Sequence, residues 1–275
     1  MASSDKRPHS LEPMAVVRKM LFRILVLAIW ILVWAAISYG VGQELLVPSP
    51  FKVFVRIVQL IQTGAFWQTT AVTVARITIG FAVGAAAGVL FAVLTSISPV
   101  VHIFFKPILS IVKATPVVSF IVLALVWIKG GQIPSFISFL MVFPIVWGNV
   151  MKGIGQTDRQ LLEMAKVYHV SKAGILKKIY VNSVLPYFVP AVMTSMGLAW
   201  KAGIAAEVLS LPQFAIGTAI YNAKIYLETI DLFAWSIVVI IISVLLEKIV
   251  VTLIHKMLPG DPAMKAQGRR HSDEN

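Results

Sequence analysis

Three charges stand where a hydrophobic chain accommodates charge least well. Lys113, Lys201 and Glu207 lie within long runs of otherwise uncharged residues, and Trp200 adjoins the second lysine. A charge at the centre of a bilayer costs at least about 2.5–3.5 kcal/mol, so such groups turn toward water or toward a partner inside the protein. Lys201 and Glu207 are six positions apart, about 600° of helix, which aims them about 120° away from one another and argues against a direct pair. Two readings remain open for Lys113, Trp200, Lys201 and Glu207. They line or gate a polar path, or they are satisfied individually by snorkelling, by neighbouring helices and, for Trp200, by packing. Bond-making chemistry has little to work with: His102 and His255 are isolated at the edges of hydrophobic runs, and there is no cysteine. No G-x-x-x-x-G-K-[ST] sequence is present to cradle a nucleotide phosphate. The expectation is a protein that is not an enzyme and has no metal or cofactor of its own.

The elements that position these residues are membrane helices. Of 275 residues, 58% are hydrophobic and 13% charged, against about 25% charged in soluble domains. Residues 77–105, 130–151, 179–200 and 232–246 contain no Asp, Glu, Lys or Arg. The sequence therefore reads as an all-α membrane protein with six transmembrane helices at 21–38, 72–96, 108–128, 133–151, 185–209 and 232–254. Each is close to the roughly 17–25 residues a bilayer requires. Residues 1–20 form an amino-terminal tail, 21–257 the membrane domain with a long loop over 152–184, and 258–275 a carboxy-terminal tail. Ala36 and Ser38 imitate a leader-cleavage site, but the bulk of Trp30 and Trp34 and the late start of the run favour a retained helix.

Net charge of +12 raises the possibility of nucleic acid, but the basic residues interrupt hydrophobic runs instead of forming a patch. Their distribution instead sets orientation. With a cytoplasmic amino terminus, the inner segments hold Lys6, Arg7, Arg18, Lys19 and Arg23, then Lys106, then Lys152, Arg159, Lys166, Lys172, Lys177 and Lys178, and finally Lys248, Lys256, Lys265, Arg269 and Arg270. The outer segments hold Lys52, Arg56, Lys129 and Lys224, while Arg76, Lys113 and Lys201 lie at or inside spans. This asymmetry predicts that both termini and the 152–184 loop face the cytoplasm.

Local signals add detail. In 47–64, Ser49 reads as an N-cap, Pro50 as the first helical residue and Gly64 as a stop. Phe51, Phe54, Val55, Val58 and Ile61 recur opposite Lys52, Arg56 and Gln59, as in a helix lying on the membrane surface or packing against the bundle. Gly80, Gly84 and Gly88 form a double GxxxG, which permits close approach of a helix from the same subunit or from a second copy. Pro116 is expected to kink the third span. Within the long loop, Leu161, Leu162, Ala165 and Tyr168 oppose Asp158, Arg159, Glu163 and Lys166, which predicts a short amphipathic helix. A second begins near the N-cap candidate Ser171, and together they predict a compact knob, either an interaction surface or two helices resting on lipid headgroups.

These loop residues resemble the EAA motif of the membrane-spanning subunits of bacterial ATP-binding-cassette importers. Glu163, Met164 and Ala165 open the motif, and Ile179 stands at the expected distance. Met164 replaces Ala, His169 replaces Gly, and Val181-Asn182 replaces Leu-Pro, with a Leu-Pro at 185–186. The stretches VPSP at 47–50 and AAEVL at 205–209 are similar to the sulfonate, taurine, nitrate and bicarbonate branch, and the likeness covers about 46–255. His169 predicts a remodelled turn, because non-Gly residues adopt left-handed backbone uncommonly, although His is among the less disfavoured.

The resemblance implies a type I ABC importer permease-like bundle in the bacterial cytoplasmic (inner) membrane. It implies a separate ATPase subunit that binds ATP and magnesium, an extracytoplasmic substrate-binding protein, a second permease copy related by a two-fold axis, and surrounding membrane lipid. Residues 158–183 would couple to the ATPase through Glu163, Ala165, Tyr168, His169 and Ser171. The solute would be small and, given the two lysines, anionic. The rival expectation is an ion-gradient-driven secondary transporter with Lys201 and Glu207 as its charged site.

Overall fold

A computed structural model of the chain describes residues 12–257. The tail assignments at 1–11 and 258–275, with Lys6, Arg7, Lys265, Arg269 and Arg270, lie outside them. The described residues form eleven α-helices and no strand: α1 Glu12–Val41, α2 Pro50–Ile61, α3 Gly64–Ile97, α4 Pro99–Ala114, α5 Val117–Trp127, α6 Ile133–Gly155, α7 Arg159–Val167, α8 Lys172–Ile175, α9 Val181–Ser210, α10 Ile216–Ile225 and α11 Thr229–Met257. A π-helical turn over Leu176–Tyr180 joins α8 to α9, making Lys172–Ser210 one helical path of 39 residues. The second helix expected in the loop is thus the beginning of the fifth span, and α7 is the separate element.

Five helical stretches are long and apolar enough to cross a membrane, and α4 with α5 supplies the sixth crossing as a broken pair bent by 106°. This corrects the single span expected at 108–128. Thr115 (ψ 131°) and Pro116 (ψ 137°) are both extended. The proline ring disfavours helical geometry at the residue before it and removes one backbone donor, so the chain breaks there outright.

Three helices make the core. The glycines of α3 lie against α6 of the same subunit, which decides between the two GxxxG readings. A Cβ on Gly80 would fall 2.1 Å from the Ser135 carbonyl oxygen, and one on Gly84 or Gly88 would meet Val142 or Val146 at 2.9 Å. The paired numbers rise together, so α3 and α6 run parallel, and α4–α5 returns the chain between them. α9 runs antiparallel to both: Gly203 packs on Ile77 and Ser138, while Gly153 near the far end of α6 packs on Val184 and Tyr187. Trp147 is fully buried in an aromatic cluster with Phe91, Phe105 and Phe143. Its Nε1 donates to Thr95 Oγ1 at 2.9 Å.

α2 and α11 complete one end. Ser49 Oγ accepts from the Lys52 amide as expected, but Gly64 starts α3 instead of ending α2, because the Thr63 hydroxyl caps the Phe66 amide. Arg56 makes a bidentate pair with Asp231 of α11 at 2.6 and 2.8 Å, which holds the guanidinium more firmly protonated than usual. Val53 is buried, whereas Phe51, Phe54, Val55, Val58 and Ile61 are exposed. An apolar face turned outward from the bundle, with a polar tie inward, suits a helix lying at the lipid surface. α1 is exposed almost throughout and meets the bundle near Trp34, which stacks on Phe233 at 5.8 Å.

Candidate coupling surface and transport path

α7 forms because Asp158 caps it, accepting from the Gln160 amide at 2.8 Å, and because its apolar positions recur on one side. Its ending is a Schellman motif: the His169 amide donates to Lys166 and the Val170 amide to Ala165, at 3.1 and 2.9 Å. His169 occupies the left-handed position at φ 50°. The turn that glycine would make is therefore kept, not remodelled, at some backbone cost. Ser171 then caps α8, accepting from the Gly174 amide at 3.2 Å. Ala165 is buried, while Leu161, Met164, Val167, Tyr168 and Val170 are exposed, as are Glu163 and His169. The result is a short helix, capped at its start and closed by a hydrogen-bonded turn, that exposes apolar residues among charged ones at the end of the bundle where α6 ends and α9 begins.

The four intramembrane candidates divide into two pairs. Lys113 and Lys201 are exposed, and neither forms an ion pair or hydrogen bond with any described residue. Lys201 stands on α9 roughly opposite the Ala199, Ala202, Gly203 and Ala206 face that packs into the core. It continues a stripe of exposed or partly exposed residues with Thr194, Gly197, Leu198 and Ala205. Nothing lies within 4 Å of a Cβ built on Gly197. Lys113 is in the last turn of α4, where the helix dipole favours a cation. Its Nζ lies 3.5 Å from where a Cβ on Gly148 would stand.

Trp200 and Glu207, grouped with the lysines in the sequence reading, are instead sealed inside the subunit at 1% and 0% exposure. Trp200 Nε1 donates to the Val239 carbonyl at 3.1 Å and ties α9 to α11. Glu207 works at the end opposite α7. Helix α10 begins after Ala215, which has no side chain to cap it, and the caps come from distant elements. Thr73 Oγ1 accepts from the Ile216 amide at 3.0 Å and donates to Glu207 Oε2 at 3.0 Å, and Glu207 Oε2 also accepts from the Gly217 amide at 3.0 Å. Gly217 has to be glycine, since a Cβ there would lie 2.4 Å from Glu207 Cβ. Arg76 reaches the preceding loop, donating to the Gln213 and Phe214 carbonyls at 3.0 and 3.4 Å.

Sequence reasoning noted Arg76 at a span edge without assigning it a task, and it missed Thr73. The available signal was their spacing of three on α3, which places both on the face that meets Glu207.

The architecture is thus a bundle of membrane-spanning helices with one broken pair, exposed lysines on α4 and α9, and at one end a short helix with exposed apolar residues, as in a membrane-embedded component of a larger assembly. The family described as binding-protein-dependent transport system inner membrane component matches residues 80–261. The chain is 24% identical over 238 residues to the putative aliphatic sulfonates transport permease protein of Bacillus subtilis, covering 86% of each chain. It is 27% identical over 193 residues to the bicarbonate transport system permease protein of Synechococcus elongatus, covering 69% of this chain and 68% of that one. It is 22% identical over 227 residues to the taurine transport system permease protein of Escherichia coli, covering 80% and 81%. The chain belongs to the family of inner-membrane components of binding-protein-dependent transport systems, the permease subunits of ATP-binding-cassette importers. It is thus a multi-pass inner-membrane permease, and the ion-gradient-driven alternative is set aside.

Proposed function

We propose that this permease imports a small anionic solute, driven by a separate ATPase that docks on α7 and binds the ATP and magnesium. An extracytoplasmic binding protein delivers the solute to the opposite end, both termini face the cytoplasm, and a second copy of the chain completes the path between two bundles embedded in lipid. The observation that carries the reading is the outer surface of α7. Leu161, Met164, Val167 and Tyr168 are exposed beside Glu163 on a helix held at both ends, by the Asp158 cap and by the turn at His169. A rigid helix transmits displacement where a flexible loop would absorb it, and Ser171 extends that rigidity into the π-joined α8–α9 path.

The solute class follows from Lys113 and Lys201. An ammonium without a counter-charge on a membrane-embedded wall attracts a compact oxyanion, the chemistry shared by the sulfonate, nitrate and bicarbonate named for relatives. Trp200 and Glu207 serve the path by holding its wall and its end in place. The test is purification of the tagged chain in mild detergent with quantitative mass spectrometry. The wild type is expected to carry an ATP-binding-cassette ATPase at equal copy number, and Glu163→Lys to lose it while remaining folded. A wild type that elutes without an ATPase, or a variant that keeps it, overturns the coupling role.

A further inference from the structure

At the end of the bundle opposite α7, one guanidinium stands between two sets of acceptors. Arg76 Nη2 donates to the Gln213 carbonyl at 3.0 Å and Nη1 to the Phe214 carbonyl at 3.4 Å, while Glu207 Oε1 lies 3.8 Å from Nη1. That oxygen is buried and accepts no hydrogen bond from any described residue. An open buried acceptor is costly, most of all where lipid and protein exclude water. Glu207 cannot turn away to find another partner, because its Oε2 is committed to Thr73 and Gly217. The backbone of Arg76 cannot retreat either. Ser135 Oγ donates to the Arg76 carbonyl at 2.8 Å, one turn from the Gly80 crossing. Two parts remain free to move, the guanidinium and the exposed Gln213–Phe214 segment; on either side of that segment Pro212 and Ala215 are buried, and the Pro212 carbonyl accepts from the Thr218 hydroxyl at 2.8 Å. Within that segment Phe214 stands at φ 50°, a left-handed conformation that release would relax, whereas Leu211 at φ 47° is the C-cap of α9 and its amide stays bonded to the Glu207 carbonyl at 3.0 Å.

We propose that Arg76 is the positioning residue of a two-state latch at this end of the transport path. In the present conformation it clasps the Gln213 and Phe214 carbonyls. On letting go it closes onto Glu207 Oε1, and the Gln213–Phe214 segment is freed to move. The clasped state has two hydrogen bonds and a seated loop. The released state has a full ion pair, a satisfied carboxylate and relaxed backbone at Phe214. Comparable interactions on both sides are what a bistable element requires. The exchange of partners stands on this geometry, and the import reading supplies only what the latch serves.

A chain without cysteine accepts spin labels at two introduced positions. Lys129→Cys and Gln213→Cys are both at exposed sites, and Lys129 adjoins Gly130, whose Cβ would lie 2.9 Å from the Ser210 carbonyl. The full chain is reconstituted in lipid nanodiscs without any ATPase, and the separation is read by electron paramagnetic resonance. Arg76→Gln removes the clasp and the pair with Glu207 together, but at 3.8 Å that pair already acts in the clasped state. The clasped state therefore loses more, and the ratio of released to clasped loop is expected to rise about fivefold or more. Glu207→Gln, whose amide oxygen still accepts from Gly217 but no longer draws the guanidinium by charge, is expected to leave the loop at least as clasped as in the wild type. A simple structural ion pair would make both variants loosen the loop. That outcome overturns the latch, as does an Arg76→Gln loop that stays clasped. If Arg76→Gln fails to insert, Arg76→Lys decides: a partly released loop supports the latch, and one indistinguishable from wild type overturns it. Because no ATPase is present, this result is independent of whether α7 is the coupling helix.

Discussion

Lys201 and Glu207 are equally anomalous in composition, and their surroundings give them opposite tasks. Glu207 is fully buried and commits one carboxylate oxygen to the Gly217 amide and the Thr73 hydroxyl at the start of α10. Lys201 keeps its ammonium uncommitted on an exposed face. The physical consequence is an asymmetry under substitution. Lys201→Met removes a charge whose placement in a span costs at least about 2.5 kcal/mol, so the protein should insert and fold at least as well as the wild type. Uptake of labelled sulfonate, nitrate or bicarbonate into right-side-out vesicles should nevertheless fall about tenfold or more, and Lys201→Arg should retain most of it. Unchanged uptake in Lys201→Met would remove this residue from the path. The lysine's anomaly was legible from type and position, but its difference from Glu207 was not. Both sit in the same uncharged run, and the partners that separate them, Thr73 and Gly217, come from other helices.

Among the elements, α7 shows how a helix end can be kept while its usual residue is not. His169 takes the left-handed position at φ 50° because the two Schellman hydrogen bonds and the Ser171 cap that follows hold it there. His169→Gly would remove about 1–2 kcal/mol of left-handed cost and add about 0.5–1 kcal/mol of chain entropy, a small net gain. His169→Val, β-branched at the same φ, should loosen the turn. Hydrogen exchange at the Val170 amide, which bonds to Ala165, is expected to slow modestly in the first variant and accelerate in the second. Equal exchange in all three proteins would show that the motif does not hold the turn. The helix itself was readable from its apolar spacing and the Asp158 cap. The break at Thr115–Pro116 was not, since Pro144, Pro186 and Pro190 stay inside continuous helices while Pro116 ends one.

For the whole molecule, the parallel pairing of α3 with α6 and the antiparallel α9 place α7 at one end and the Glu207 cluster at the other. Basic residues concentrate toward the α7 end, and the proposed orientation, with that end in the cytoplasm, follows the positive-inside rule. In a chain with no native cysteine, a single Tyr168→Cys should react with a membrane-impermeant maleimide only after cells are opened, and Gln213→Cys should react in intact cells. The reverse pattern would invert the topology and with it the sides assigned to the ATPase and the binding protein.

Composition and run length by themselves determined that the chain spans a membrane many times, and charge placement predicted its orientation, because the bilayer is a one-dimensional solvent gradient that reads local sequence directly. The amphipathic α7 and its likeness to a coupling loop were local for the same reason. Which glycines face which helix, whether a proline bends or breaks a span, and which buried charge is spent on structure were decided only in three dimensions. Those outcomes depend on atoms brought together from distant parts of the chain: Ser135 against Gly80, Val239 under Trp200, and the α10 amides above Glu207.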